Sequence, residues 1–305
     1  MDFGVVERAA IPFVDFKLPP DGLQTRRTFE SLTKAEKPEF YVGASKWGRR
    51  EWIGKIFPQK TKEADFLTAY AKHFHSMELN AVFYSVPTPD IVCRFRQKVE
   101  ASGNPDFLFF PKLSRTISHI KRLKDAEVPT EMFLESIRNL GGMLGPCFLQ
   151  LGDNFGPKNF QVLAAYLKHL PKDLQFFCEI RHEEWFADAK NRQEYFNLLA
   201  EQNIGAVITD TGGRRDVLHM ELTIPEVYIR FVANGDEYLG SDYTRIDDWI
   251  QRIKIWLDQG LKKVYFMINP VRDNYTPELC RYAIHEFNKV LGAEIPPVHF
   301  LSQDL

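Results

Sequence analysis

Short apolar runs that end on a polar residue recur along the chain, separated by stretches of helical periodicity. Eight runs stand out: FYVGAS from Phe40, HSMELN from His75, FLFFPK from Phe107, CFLQLG from Cys147, QFFCEIR from Gln175, GAVITD from Gly205, VYIRFV from Val227 and KVYFMIN from Lys263. Their starts lie 22 to 40 residues apart, the pace of a repeated strand and helix unit. Near-continuous apolar runs suit strands buried on both faces, as in a parallel sheet. Between them, segments such as TPDIVCRFRQKVEASG, TEMFLESIRNLGGML and NFQVLAAYLKHLP place apolar residues three and four apart, as an amphipathic helix does. The later segments NRQEYFNLLAEQNIG, YTRIDDWIQRIKIWLDQG and TPELCRYAIHEFNKVLG each close near a glycine that suits a helix C-terminus. Only the interval from Thr211 to Glu226 is too short for a comfortable helix, and its GGRRD opening reads as a loop.

Eight such units predict an α/β fold: a closed (β/α)8 TIM barrel, one domain over residues 39–291, with an N-terminal extension (1–38) and a C-terminal tail (292–305). An open doubly wound sheet is the alternative, but nothing in it stops the count at eight. The extension, with Pro19, Pro20 and Gly22 ahead of the polar TRRTFESLTKAEK, is expected along the barrel exterior or bottom and receives no chemistry.

Composition narrows the classes. The chain has 305 residues, with 39 Lys plus Arg against 41 Asp plus Glu and a formal net charge of −2, which excludes a polybasic coat for nucleic acid. An aromatic content of 13% supplies a large core and argues against disorder. No run approaches the roughly 18 apolar residues of a membrane span, and the opening lacks a basic then apolar leader, so the expectation is a cytoplasmic protein with no membrane partner. Cys93, Cys147, Cys178 and Cys280 lie far apart without a C-x-x-C pair and read as structural thiols.

In a parallel barrel, function collects where strands end. The polar residues there are Ser45 and Trp47, Glu78 and Asn80, Lys112, Gln150, Glu179 and Arg181, Asp210, Arg230 and Asn269. The pairs Glu78/Asn80 and Glu179/Arg181 are spaced by two, which keeps both members on one side of a strand. Buried charges need partners, so Arg181 and Arg230 are expected to neutralise Glu78, Glu179 and Asp210. One reading is a satisfied ion cluster closing the core. The other leaves Glu78, Glu179 and Asp210 as general bases, or as oxygen ligands of a magnesium or manganese ion that the chemistry does not require.

Two loops carry a bias of sign. ASKWGRR and KLSRTISHIKRLK contain no acid, and Arg181, His182, Arg214, Arg215, Arg230 and Arg272 stand at or beyond other strand ends. A cationic mouth on a chain of net −2 implies an anionic ligand, and guanidinium forks with hydroxyls suit phosphate; a solvated charged face is the alternative. Trp47, Trp52, Phe83, Tyr84, Trp185 and Phe186 lie in the same loops, placed either to stack on a base or sugar ring or to pack the loops together. The candidate binding set is Ser45, Trp47, Asn80, Tyr84, Lys112, His119, Arg122, Gln150, Arg181, His182, Trp185, Arg230 and Asn269. His73-Phe74-His75 precedes the second strand, at the opposite end of the barrel, and is not a metal pair. No P-loop, nucleophile elbow or dinucleotide glycine motif accompanies a strand.

At these positions the sequence resembles the YecE-like family, also called the domain-of-unknown-function 72 family. GASKW at Gly43–Trp47 with Trp52, Gly54 and Phe57–Pro58 is similar to its opening GxSxW…W…FYP motif; MELNAVFYSVPTP at Met77–Pro89 is similar to its VExNxxFYxxP segment. PKLSRTISHIKRL, LGPCFLQL, EIRHEEW, Asp210 and YIRF follow in the family's order. The resemblance implies a TIM barrel and no particular activity. RFVANG stands where the family usually has R-x-H-G, and MINPVRDN replaces an asparagine-rich end of the last strand, so roles attached to those groups do not carry over. The expectation is an enzyme acting on a phosphate-bearing ligand, a phosphodiester or sugar-phosphate hydrolase. The alternative is a non-catalytic protein that holds nucleic acid or an anionic metabolite. Sequence leaves the oligomeric state open.

Overall fold

The computed structural model describes residues 3–235, 238–270 and 273–301. The eight apolar runs are eight parallel strands: β1 (Glu39–Ala44), β2 (Ser76–Leu79), β3 (Leu108–Pro111), β4 (Cys147–Gln150), β5 (Phe176–Glu179), β6 (Gly205–Asp210), β7 (Glu226–Ala233) and β8 (Lys263–Pro270). They neighbour one another in the order β3-β2-β1-β8-β7-β6-β5-β4. The ring closes between β3 and β4, where the Gly145 amide donates to Phe109 O (2.9 Å) and the Leu113 amide to Phe148 O (2.9 Å). The architecture is therefore the (β/α)8 barrel, and the open sheet is excluded.

Each apolar run is explained by what its two faces meet. Alternate residues such as Val42, Leu79, Phe109, Leu149, Ile208 and Ile229 face the surrounding helices and join the main core. The intervening residues Phe110, Phe148, Phe177, Val207, Tyr228, Tyr265 and Met267 fill the barrel interior. Tyr228 sits at the hub, 5.4 Å from Phe177, 5.5 Å from Phe148 and 5.9 Å from both Phe110 and Tyr265 by ring centroid. Edge-to-face and tilted packing of this kind adds about 0.5–1.5 kcal/mol per pair beyond burial. At the bottom, the Tyr41 and Tyr265 hydroxyls donate to Glu39 and Glu226. The interior is an aromatic plug, so a ligand has access from the upper end only.

The predicted helices form at Pro89–Glu100, Glu127–Ile137, Phe160–His169, Ala189–Glu201, Leu239–Gln259 and Thr276–Leu291, and a short helix Phe66–Ala71 follows β1. Gly260 and Gly292 end the last two in the left-handed conformation, as their positions in sequence suggest. The interval after β6 holds only a short 3-10 turn at Arg215–Val217. Among the described residues no helix is long and apolar enough to cross a membrane.

The N-terminal extension lies partly along the barrel exterior, as expected, but its start is at the top. It crosses the top of the barrel at β6 and β7, where Gly4 O accepts from the Thr211 hydroxyl and the Gly213 amide (2.7 Å each). It then descends the outside, where Arg252 holds Pro19 O and Asp21, and the helix Leu23–Phe29 is tied to residues 220–222 by the Thr25 and Thr28 hydroxyls on Met220 O and Leu222 O.

Candidate functional site

The strand ends place a layer of charged side chains directly on the aromatic plug. Arg230 lies at its centre, with its guanidinium carbon 5.3 Å above the Phe148 ring. Its Nε and Nη2 donate to the two oxygens of Glu78 (2.9 and 2.7 Å), and Nη1 donates to Glu179 Oε2 (2.7 Å). Arg181 Nε donates to the other oxygen of Glu179 (2.7 Å), while Asn80 Nδ2 donates to Glu78 Oε1 (2.9 Å). Both spaced-by-two pairs thus meet side by side, with the second member of each just beyond the end of its strand. Beside them Lys112 Nζ donates to Gln150 Oε1 (2.6 Å) and rests 4.1 Å over the Phe83 ring.

The electrostatics follow from burial and pairing. Burial alone would raise the carboxyl of Glu179, but the Arg181, Arg230 and Lys112 charges beside it outweigh burial and hold it at about 2. Glu78 is likewise held below its ordinary value by Arg230 against the pull of burial. Lys112 goes the other way: burial, reinforced by the neighbouring Arg230, brings its amine down to about 7. Both carboxylates are therefore ionised and engaged by guanidiniums, which ill suits the expected role of general base. Among the described residues no group of three or more His, Cys, Asp or Glu side chains is placed to hold a metal ion.

A pocket of about 590 Å³ opens above this layer, lined by Ser45, Trp47, Asn80, Tyr84, Arg181, Arg230 and Asn269 among the expected residues. Lys46, Arg49 and Phe83 line it too, from loops the sequence already marked. Its size is that of an ordinary small-molecule site. Most of the Arg230 fork is taken by the two glutamates. Arg181 differs: only its Nε is used, on Glu179, and its Nη atoms have no hydrogen-bond partner among the described residues.

Five expected residues stand elsewhere. Asp210 is the clearest correction, because the strand period that turns Thr209 and Thr211 inward turns Asp210 out. Its carboxylate receives Trp249 Nε1 (2.8 Å), Arg245 (3.1 Å) and Arg215, which knits β6 to the helix Leu239–Gln259 and keeps it out of the Glu78–Arg230–Glu179 cluster. Trp185 is buried, with its indole N–H on Phe155 O (2.7 Å), and packs loops instead of lining the pocket. Arg122 holds Asn154 O (2.6 Å). His119 packs edge-on against Phe83 at 5.3 Å, beneath the rim, and His182 accepts the Glu184 amide (3.3 Å). Arg272 lies outside the described residues.

Two lining residues escaped the sequence reading: Phe3 and Val5, from the extension that received no chemistry. The one signal for them was an apolar, aromatic opening with a glycine in its midst, too short to show a period.

A family model described as "Protein of unknown function DUF72" matches residues 41–298. The chain belongs to the DUF72 family. The UPF0759 protein YecE of Escherichia coli strain K12 is 26% identical over 234 residues, which cover 71% of this chain and 81% of that protein. A crystal structure of a DUF72 family protein from Enterococcus faecalis V583 superposes with a TM-score of 0.64 at 20% identity, over 85% of this chain and 99% of the other. The Enterococcus structure shares the fold, and neither relative's name carries an activity. The DUF72 match begins after the extension, so Phe3 and Val5 join the mouth from outside the matched range.

Proposed function

We propose that the barrel mouth binds a small phosphate-bearing molecule, with its oxyanion at the free edge of Arg181. The observation that carries this reading is the balance of the buried layer. Lys112, Arg181 and Arg230 stand against Glu78 and Glu179, so one positive charge is in excess when Lys112 is protonated, and the Arg181 Nη donors have no partner within the described chain. A guanidinium edge is well matched to phosphate oxygens, and a charge-assisted contact of this kind is worth about 1.5–3 kcal/mol. Aromatic lining by Trp47, Phe83 and Tyr84 favours an ester with a flat or ring-shaped body over inorganic phosphate.

Of the basic loop residues, Lys46 and Arg49 line the pocket while Arg115 and Lys121 do not, which favours a compact ligand over a nucleic-acid strand. For hydrolysis of a phosphate ester, the ionised and engaged glutamates serve as positioning groups, and Lys112, buried behind the Phe83 ring and outside the pocket lining, acts through its charge. Calorimetric titration with phenyl phosphate and ribose 5-phosphate over a range of salt tests the proposal. A small dianion gives saturable binding with a shallow salt slope. Binding of oligonucleotide alone, with a slope that corresponds to many phosphates, would contradict it.

A further inference from the structure

We infer that residues 3–6 form a built wall of this pocket and that Phe3 is a positioning residue for Arg181. The inference rests on the anion-site reading and extends it to a segment outside the family match. The Phe3 ring lies 3.9 Å from the Arg181 guanidinium carbon and 5.2 Å from that of Arg214. Arg214 in turn donates to Arg181 O (2.7 Å), so backbone and side chain of Arg181 are held from neighbouring groups. A ring stacked on the face of a guanidinium leaves the N–H donors in its plane free. With Nε on Glu179 and its guanidinium carbon 3.9 Å from the Phe3 ring centre, Arg181 is held from two sides, and its Nη edge is the part offered to an oxyanion.

The segment is fitted, not merely draped. Gly4 has φ +70°, and a Cβ there would come within 2.4 Å of the Thr211 side chain. Its carbonyl takes two hydrogen bonds, from the Thr211 hydroxyl and the Gly213 amide. Only glycine meets both the left-handed backbone and the contact. A segment closed down this tightly at its second described residue reads as a fixed wall, and the alternative of a loose plug that a ligand must displace predicts the opposite sign of effect.

Two readouts separate the wall from the anion site. Amide exchange at Gly213 reports docking with no ligand present: it is slow in the full chain and speeds by tenfold or more in Gly4→Val. Titration with phenyl phosphate reports positioning: Phe3→Leu weakens binding about fivefold, the size expected for loss of one cation–π contact. Phe3→Tyr, which keeps the ring, binds within twofold of the unaltered chain, a rescue that a merely structural role would not require. Equal affinity in Phe3→Leu and the unaltered chain would overturn the positioning role while leaving the anion site intact. Tighter binding in Phe3→Leu would replace the wall by a plug. Failure of the unaltered chain to bind any phosphate ester would overturn the anion site and the positioning role together, and Gly213 exchange would then decide the wall alone. Fast Gly213 exchange in the unaltered chain removes the wall outright.

Discussion

Replacing Lys112 by methionine should make the protein's stability respond differently to pH, and the size of the change can be worked out. Lys112 is wholly buried, donates to Gln150 and lies against Phe83, and burial together with Arg230 brings its amine from 10.5 to about 7. In the unfolded chain the same amine stays protonated up to about 10.5. Between these two values the unfolded state binds more protons, so stability rises with pH across that window and the burden on the fold is greatest at and below pH 7. The penalty is about 4 kcal/mol at pH 7 and about 2 kcal/mol at pH 9, taking 1.4 kcal/mol per pH unit. Lys112→Met abolishes this dependence. Loss of the Gln150 hydrogen bond adds an offset that does not vary with pH, and Glu179, held at about 2, stays ionised throughout. Urea denaturation of both proteins at pH 7, 8 and 9 should therefore show their difference shifting by about 2 kcal/mol in favour of the lysine form as pH rises. A difference that stays flat within the error of extrapolation would refute the account of Lys112 as a buried, depressed amine.

Asp210→Asn, which weakens contacts to Arg215, Arg245 and Trp249 on the outer face of β6, should lower stability by about 2–4 kcal/mol in urea while phosphate-ester affinity stays within twofold. A large loss of affinity with stability intact would return Asp210 to the site. Trp185→Phe removes the indole bond to Phe155 O and should lower stability by about 1 kcal/mol, again without change in ligand affinity by calorimetry. Ester affinity itself should fall as pH rises from 7 to 9, where the ester is already a dianion, because Lys112 loses its proton from about 7 upward and with it the excess positive charge of the layer; affinity that rose over that range would contradict this sign.

The barrel was legible because parallel strands buried on both faces leave continuous apolar runs, and β1 to β8 all announce themselves this way. The pairs Glu78/Asn80 and Glu179/Arg181 were legible from their spacing of two, although each second member lies past its strand and is joined to its glutamate by a hydrogen bond. Asp210 was misplaced because a polar residue at a strand end says nothing of its phase; Thr209 and Thr211, on the inward phase, were passed over for the charged residue between them. The state of the carboxylates was also hidden. Sequence supplied Arg181 and Arg230 as partners but not that one fork would engage both glutamates, leaving Arg181 for the pocket. The extension was illegible because Phe3, Gly4 and Thr211 are separated by some two hundred residues and share no local pattern.

The central claim is that the Arg181 edge holds an oxyanion, and titration of Arg181→Gln with phenyl phosphate tests it most directly. Gln keeps a polar group beside Glu179 and leaves Arg230 to hold both glutamates, so a folded variant that has lost the fork is the expected product. The account predicts affinity reduced at least tenfold, the loss of one charge-assisted pair, with the aromatic wall and the barrel intact. Unchanged affinity in folded Arg181→Gln would contradict it.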